Sequence, residues 1–328
     1  MPLSVLFIGG TGQISLPCVE RAVSLGHRVA VFNRGRDNTR LPEGVTSIVG
    51  DMNDAAAYRR LGQQHYDVIC QFMVFRPEQM AEDLATFRGR TGQYIFISSA
   101  SVYEKPPRHY VITEKTPTVN PYWKYSQDKI ACEAMLRAET VLPWTIVRPS
   151  HTVRTSLPTM VGPGDELAAR MLAGRPVLVA GDGETPWTLT RSSDLAPPFI
   201  GLWGKPGALG EDFHITSDRG YTWNDIYRTI AAGFGVEARI VHVPTDTLIR
   251  YHRDWEGPLA GDKSRTALFD NSKVKRVAGP FTCSENLAEV LAEPVANTKA
   301  RLAGKPPREG ELDPLMDRIA AEQAALGG

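Results

Sequence analysis

The sequence predicts an α/β protein: a doubly wound parallel sheet in residues 1–150, followed by a smaller α/β half in residues 151–328. Three observations carry the prediction. Short apolar runs rich in β-branched residues alternate with helix-like segments at the spacing of βαβ units. The first run ends in a glycine-rich turn, and Gly-Pro punctuation becomes dense only after Pro149.

Residues 3–8 are a continuous apolar run closed by Gly9-Gly10, as suits a strand buried on both faces. A helix is expected at 13–25, with Gly26 as its C-terminal stop. Strands follow at 28–32, 45–49, 67–70 and 94–97, with helices at 54–61 and 78–87 between them. Asn120-Pro121 is expected to open a longer helix, because Asn caps free amides and Pro at the first helical position gives up an N–H that has no partner. Residues 144–147 make a sixth strand, stopped by Pro149. Beyond it, helices at 165–173, 194–203 and 222–234 and strands at 177–179, 213–216 and 239–243 read as an irregular lid over the strand ends. The tail from Pro306 to Gly328 is expected to be a terminal helix, loosely packed or frayed.

Composition bounds the function. At about 150 residues per domain, 328 residues suggest roughly two domains. The chain is 42% apolar and 23% charged, enough to bury a core and too ordinary for wholesale disorder. Lys plus Arg and Asp plus Glu both number 37, so no global field draws the chain to nucleic acid or to an anionic membrane, and either partner would need a local patch. The four cysteines lie far apart without a C-x-x-C pair, and the seven histidines include no metal-ligand spacing. These features predict reduced thiols, a cytoplasmic location and no metal. No run of 18 apolar residues is present to span a membrane.

In doubly wound sheets ligands sit at the carboxyl ends of the strands, so the residues just after each strand are the site candidates. Gly9, Gly10, Thr11, Gly12, Gln13 and Ile14 follow the first strand, where glycines let a pyrophosphate approach the amides of a helix N-terminus. Ser15 replaces the third glycine of the usual fingerprint and is small enough to keep close packing. The second strand ends in Asn33, Arg34, Gly35 and Arg36 with no acid, which favours the 2′-phosphate of NADP over the ribose hydroxyl of NAD. The alternative is a solvated basic loop with Asn33 bonding the NAD ribose. After the third strand, Asp51 and Met52 can flank an adenine, or Asp51 can serve as a cap. Ser98-Ser99 end the fifth strand, and Tyr125-x-x-x-Lys129 lies on the helix after Pro121. Residues four apart share a helix face about 5.4 Å along the axis, and an ammonium there favours a phenolate. A shift of two to three units, worth roughly 3 to 4 kcal/mol, would bring Tyr125 into acid–base range.

In order and spacing, Gly9-x-x-Gly12-x-x-Ser15, Gly50-Asp51, Ser98 to Tyr103, Tyr125-x-x-x-Lys129, Arg148-Pro149, Asp194-Leu195-Ala196 and Phe269 to Lys273 resemble the extended short-chain dehydrogenase/reductases, the NAD-dependent epimerase/dehydratase family. The resemblance implies a Rossmann domain to which later segments return, a homodimer, and a triad of Ser99, Tyr125 and Lys129. In it, Tyr125 exchanges a proton with the substrate oxygen, Ser99 hydrogen-bonds that oxygen, and Lys129 stabilises the phenolate and binds the nicotinamide ribose. Gln71 and Phe72 fall beside the cofactor, bulkier than the family's small residues there. Ala100-Ser101 stand where dehydratases of the family carry Asp-Glu, which argues against dehydration. Trp187 stands where the family's epimerases carry a diphosphate-gripping arginine, leaving Arg191 and Arg154 as substitutes. Glu104 replaces a glycine. Ser101, His151, Trp187 and Arg191 are the substrate candidates.

The resulting expectation is an NAD(P)-dependent oxidoreductase or epimerase, NADP preferred, acting on a secondary alcohol or ketone of a small, sugar-like molecule. One alternative is a sugar-nucleotide epimerase with tightly held NAD. Another is a non-catalytic cofactor- or RNA-binding protein, similar to the chloroplast stem-loop RNA-binding proteins. Retention of Tyr125 and Lys129 and the balanced charge weigh against that last reading.

Overall fold

The computed structural model describes residues 1–304 and 310–326. The first half runs β1 (Ser4–Ile8), α1 (Ser15–Ser24), β2 (Arg28–Asn33), β3 (Thr46–Val49), α2 (Ala55–Arg59), β4 (Tyr66–Gln71), α3 (Pro77–Phe87), β5 (Thr91–Ile97), β6 (Val111–Ile112), α4 (Lys124–Arg137) and β7 (Trp144–Pro149). The second half runs β8 (His151–Val153), α5 (Gly164–Leu172), β9 (Val177–Ala180), β10 (Leu189–Arg191), α6 (Ser192–Gly201), β11 (Glu211–Ile215), α7 (Trp223–Phe234), β12 (Ile240–Val243), α8 (Thr245–Tyr251), the single turn α9 (Glu256–Pro258), β13 (Leu268–Phe269), α10 (Ser272–Ala278), α11 (Leu287–Leu302) and α12 (Asp313–Leu326).

Seven strands form one sheet in the order β11-β7-β5-β4-β1-β2-β3, every pairing parallel. The α/β doubly wound class predicted from the alternating pattern is the observed one. Successive side chains of a strand point to opposite faces, so β1 feeds two cores. Val5 and Phe7 join Cys18, Val19 and Phe199 under α1 and α6, while Leu6 and Ile8 join Leu84, Phe87 and Leu136 under α3 and α4. Burial on both faces is why β1 reads as an unbroken apolar run. The second half has its own core, centred on Trp187, Trp223 and Tyr227.

Three expectations need correction. The strand expected at 213–216 belongs to the main sheet: β11 pairs with β7, placing Phe213 opposite Val147, and α6 packs on α1. Asn120-Pro121 does not open a helix. Asn120 Nδ2 donates to the carbonyls of Ser101 (2.8 Å) and Gly261 (2.7 Å), a tie between distant segments, and α4 starts at Lys124. The C-terminal helix is docked, not frayed, over its described residues: α12 buries Met316 and Ile319, and Asp313 meets Arg170 at 2.7 Å with both side chains almost fully enclosed. The rest of the expected tail, residues 305–309 and 327–328, lies outside the described residues.

One buried ion cluster locks α4 to the sheet. The Arg148 guanidinium of β7 donates to both carboxylate oxygens of Glu133 on α4 (2.9 and 2.6 Å), and also to Asp212 of β11 and the Tyr103 hydroxyl. The side chains of Arg148 and Glu133 are fully buried. Removing one member of such a pair strands the other in low dielectric. Glu133→Ala should therefore lower unfolding free energy by about 3–5 kcal/mol in urea denaturation. A loss within experimental error would mean that Asp212 alone suffices for Arg148.

Candidate active site

The glycine turn lies at the carboxyl edge of the sheet, between β1 and α1. Gly9 has φ +86°, and a Cβ there would sit 2.5 Å from Met73 Cγ, so both backbone conformation and space demand glycine. Its N–H is taken by the Phe32 carbonyl at 2.9 Å. Gly10 packs against Val31, where a Cβ would fall at 2.6 Å; it serves strand packing and does not face the cleft. Ser15 accepts a hydrogen bond from Gly12 N (3.0 Å), a tie that a glycine at the same position could not make.

The turn opens onto a cleft of about 570 Å³, within the usual range for small-molecule sites. The cleft brings together Gly9, Thr11, Gly12, Gln13 and Ile14 with Asn33, Arg34, Arg36, Asp51, Met52 and Phe72, and it continues to Ser98, Ser99, Tyr125 and Lys129. Arg34 and Arg36 are exposed along its rim. Asp51 accepts from Asn53 N (2.9 Å), and the cap of α2 is Asp54 instead. Two buried polar atoms of cleft residues have no partner among the described residues, Asn33 Nδ2 and Ser98 Oγ. Buried donors without partners are uncommon and point to a ligand's polar groups. Free amides at the start of α1, a turn that a Cβ would fill and these two orphaned atoms together fit a dinucleotide.

Gln71 does not reach the cleft. It is fully buried, donating to Asp83 (2.5 Å) and the Tyr58 hydroxyl (3.0 Å) while its Oε1 accepts from Met73 N (2.7 Å). Asp83 also accepts from Tyr58 (2.7 Å) and Tyr94 (2.6 Å), so the cluster supports the cleft wall from behind. Gln13 has two tasks, since it lines the cleft while its side chain binds Thr152 O (2.7 Å) and accepts from Thr155 and Ser156. Arg154 donates to the carbonyls of Gly12 and Gln13, each at 3.0 Å, which commits it to the turn. Arg191 is paired with Asp194 on α6 at 2.8 and 2.9 Å and lines neither cavity; neither arginine stands in for the diphosphate grip.

Lys129 is buried with its Nζ donating to the carbonyls of Val74 (2.6 Å) and Ile97 (2.8 Å). Burial lowers it to about 7, against the pull of Cys132 and Glu133. Tyr125 departs from the sequence expectation. Burial raises its pKa, a hydrogen bond with Ser99 opposes the rise, and Asp262 adds to it. Lys129 Nζ stands 5.9 Å from the Tyr125 ring centroid, spent on two carbonyls, so the predicted lowering is absent. Ser99 Oγ lies 2.9 Å from Ser101 Oγ, which in turn accepts from Ser126 at 2.7 Å.

A second cavity of about 260 Å³ adjoins the first and shares Ser99, Tyr125, Pro149 and Ser150 with it. Ser101, His151 and Trp187, three of the four substrate candidates from the sequence, line it. Trp187 Nε1 donates to His151 Nδ1 (3.2 Å), so the neutral ring carries its proton on Nε2. Burial and the nearby Lys263 ammonium push His151 down to about 3. Trp123 and Phe269 also line this cavity, together with Lys105, Asp262 and Lys263, which escaped the sequence reading because no motif marks them. Gly257 and Gly261 let their segment approach Trp123, since a Cβ would sit 2.3 Å and 3.0 Å from its side chain.

Residues 9–167 match the NAD(P)H-binding family model. The chain is 24% identical to 2′-dehydrokanamycin reductase of Streptomyces kanamyceticus, over 99% of its own length and 93% of the relative's. It is 28% identical to the chloroplast stem-loop binding protein of 41 kDa b of Arabidopsis thaliana, over 73% of its own length and 65% of the relative's. An epimerase structure from Methanothermobacter thermautotrophicus superposes with a TM-score of 0.75 at 15% identity, covering 92% of this chain and 93% of that one.

The Asp83 cluster supplies a pH test. Burial raises Asp83 to about 6 although Tyr94, Tyr58 and Gln71 all donate to it. A carboxyl whose folded pKa lies above its unfolded value near 3.8 stabilises the fold most below the unfolded value and loses that contribution as pH rises through about 6. The unfolding free energy of the wild type minus that of Asp83→Asn should therefore fall by roughly 2 kcal/mol between pH 4 and pH 7. A difference that does not change with pH would place the titration elsewhere.

Proposed function

We propose that this chain, which has the NAD(P)-binding Rossmann fold of the extended short-chain dehydrogenase/reductases, interconverts a ketone and a secondary alcohol on a small, sugar-like molecule, with NADP(H) as the preferred cofactor. The observation that carries this reading is the junction of the two cavities at Ser99 and Tyr125. A substrate in the smaller cavity and a dinucleotide in the larger one would both reach these side chains. When bound, the nicotinamide supplies or accepts the hydride.

The remaining chemistry belongs to the chain. The raised pKa of Tyr125 keeps its phenol protonated at neutral pH, which suits proton delivery to a carbonyl oxygen, the reductive direction. Ser99, already bonded to Tyr125 and Ser101, is placed to hold that oxygen. Two of the three donors of the Lys129 ammonium are fixed on carbonyls, leaving one for a ribose hydroxyl. Arg34 and Arg36 on the rim, with Asn33 in place of an acid as the last residue of β2, support the preference for a 2′-phosphate, although Asp37 lines the same cleft. Ala100 and Ser101 lack the proton chemistry of dehydration. Epimerisation would use the same Ser99 and Tyr125 with a cofactor that never leaves. Tightly held NAD released from the purified protein on denaturation would favour that reading over the reductase.

Tyr125→Phe should reduce turnover by about 10²- to 10⁴-fold, the usual worth of a general acid, with the NADP dissociation constant changed less than about twofold. Preserved activity would remove Tyr125 from the chemistry. The double variant Arg34→Ser/Arg36→Ser should weaken NADP binding by about tenfold or more, equivalent to about 1.4 kcal/mol, and leave NAD binding nearly constant. Equal weakening of both cofactors would refute a 2′-phosphate role.

A further inference from the structure

The smaller cavity carries charges that proton and hydride transfer do not require. Lys105 Nζ lies 3.6 Å from Asp262 Oδ1, a neutralised pair with the lysine almost fully enclosed. Lys263, next in sequence to Asp262, also lines the cavity and forms no ion pair among the described residues. Arg265 adds positive potential at Lys105, and its buried Nε has no partner. His151 contributes no charge, being held neutral by burial and by Lys263. Cations thus outnumber acids around the cavity. Burial pushes both lysines below their ordinary range and Asp262 above its own, so charge is costly at this site. Among the described residues Asp262 is thus the one acid facing two lysines, and a partly enclosed cluster with a cation in excess is relieved by an anion and made worse by another cation.

On the reading of the site given above, we propose that the substrate carries one anionic group, a carboxylate or phosphate, which binds Lys263 and the edge of the Lys105–Asp262 pair. The rest of the cavity describes the rest of the molecule. Trp123, Trp187 and Phe269 offer flat apolar faces, and Ser101 and Ser150 offer hydroxyls, as a sugar ring or cyclitol requires. At about 260 Å³ the cavity falls just below the 300–1,000 Å³ typical of drug-sized ligands, and it holds a single ring with its substituents. Amino sugars bring the wrong sign.

The test is calorimetric titration of the Tyr125→Phe protein saturated with NADP, which separates recognition from turnover. The probes are D-glucuronate, D-glucose 6-phosphate, D-glucose and D-glucosamine. At least one anionic probe should bind about tenfold or more tighter than glucose, as a charge-assisted contact worth about 1.4 kcal/mol would give, with glucosamine weakest. The glucuronate and phosphate arms identify which anion is preferred. Lys263→Gln should collapse that preference toward unity while its NADP-bound melting curve shows an intact fold. Glucose or glucosamine binding as tightly as the anions, no anion binding, or a preference that survives Lys263→Gln would each overturn the proposal. Anion-selective binding in a protein that catalyses no hydride transfer would instead sink the proposed reaction and leave this inference standing.

Discussion

The site depends on how the Lys129 ammonium is held. It sits almost fully buried between the carbonyl of Val74, in the loop after β4, and that of Ile97, the last residue of β5. The rings of Phe75 and Phe96 lie 4.7 and 4.8 Å from its Nζ. One side chain therefore joins α4 to two strand ends at the carboxyl edge of the sheet. Tyr125 lies one helical turn earlier on α4 and Ser99 two residues beyond Ile97, so the same anchor brings both into one place. The Arg148–Glu133 cluster fixes the same helix one turn further along the same face.

A second constraint joins the two halves. Gln13 and Arg154 stitch the glycine turn to the segment 152–156, and Asn297 of α11 donates to the Arg154 carbonyl at 3.1 Å. The turn predicted to contact a pyrophosphate is thus also a joint with the lid. Tension between these tasks explains why Gln13 and Arg154, which look available for a ligand in the sequence, spend most of their hydrogen bonds on the protein itself.

Much of the sheet and of the candidate cleft was legible because the signals are local. A strand buried on both faces must be continuously apolar, a tight turn with positive φ must be glycine at Gly9, and a Tyr-Lys pair four apart must share a helix face. What was not legible depends on long-range closure. Gln71 ends β4 at the carboxyl edge of the sheet, yet buried Asp83, twelve residues away, claims its amide. Arg191 falls in the right region but pairs with Asp194 before it can meet any substrate. The strand β11 resembles lid sequence until pairing with β7 shows it to be the edge of the main sheet.

By itself, the sequence determined the alternating α/β sheet, the place of the candidate cleft at the strand ends, and the serine, tyrosine and lysine that line it. These follow from periodicity, turn chemistry and helix spacing, all set within a few residues. Only the tertiary structure decided the electrostatics: burial raises Tyr125 where a neighbouring lysine was expected to lower it. It alone placed Lys105, Asp262 and Lys263 against one cavity, since segments separated by some 150 residues meet only when the lid closes on the strand ends. Desolvation and ion pairing act through space, so their sign is not written in the order of the residues.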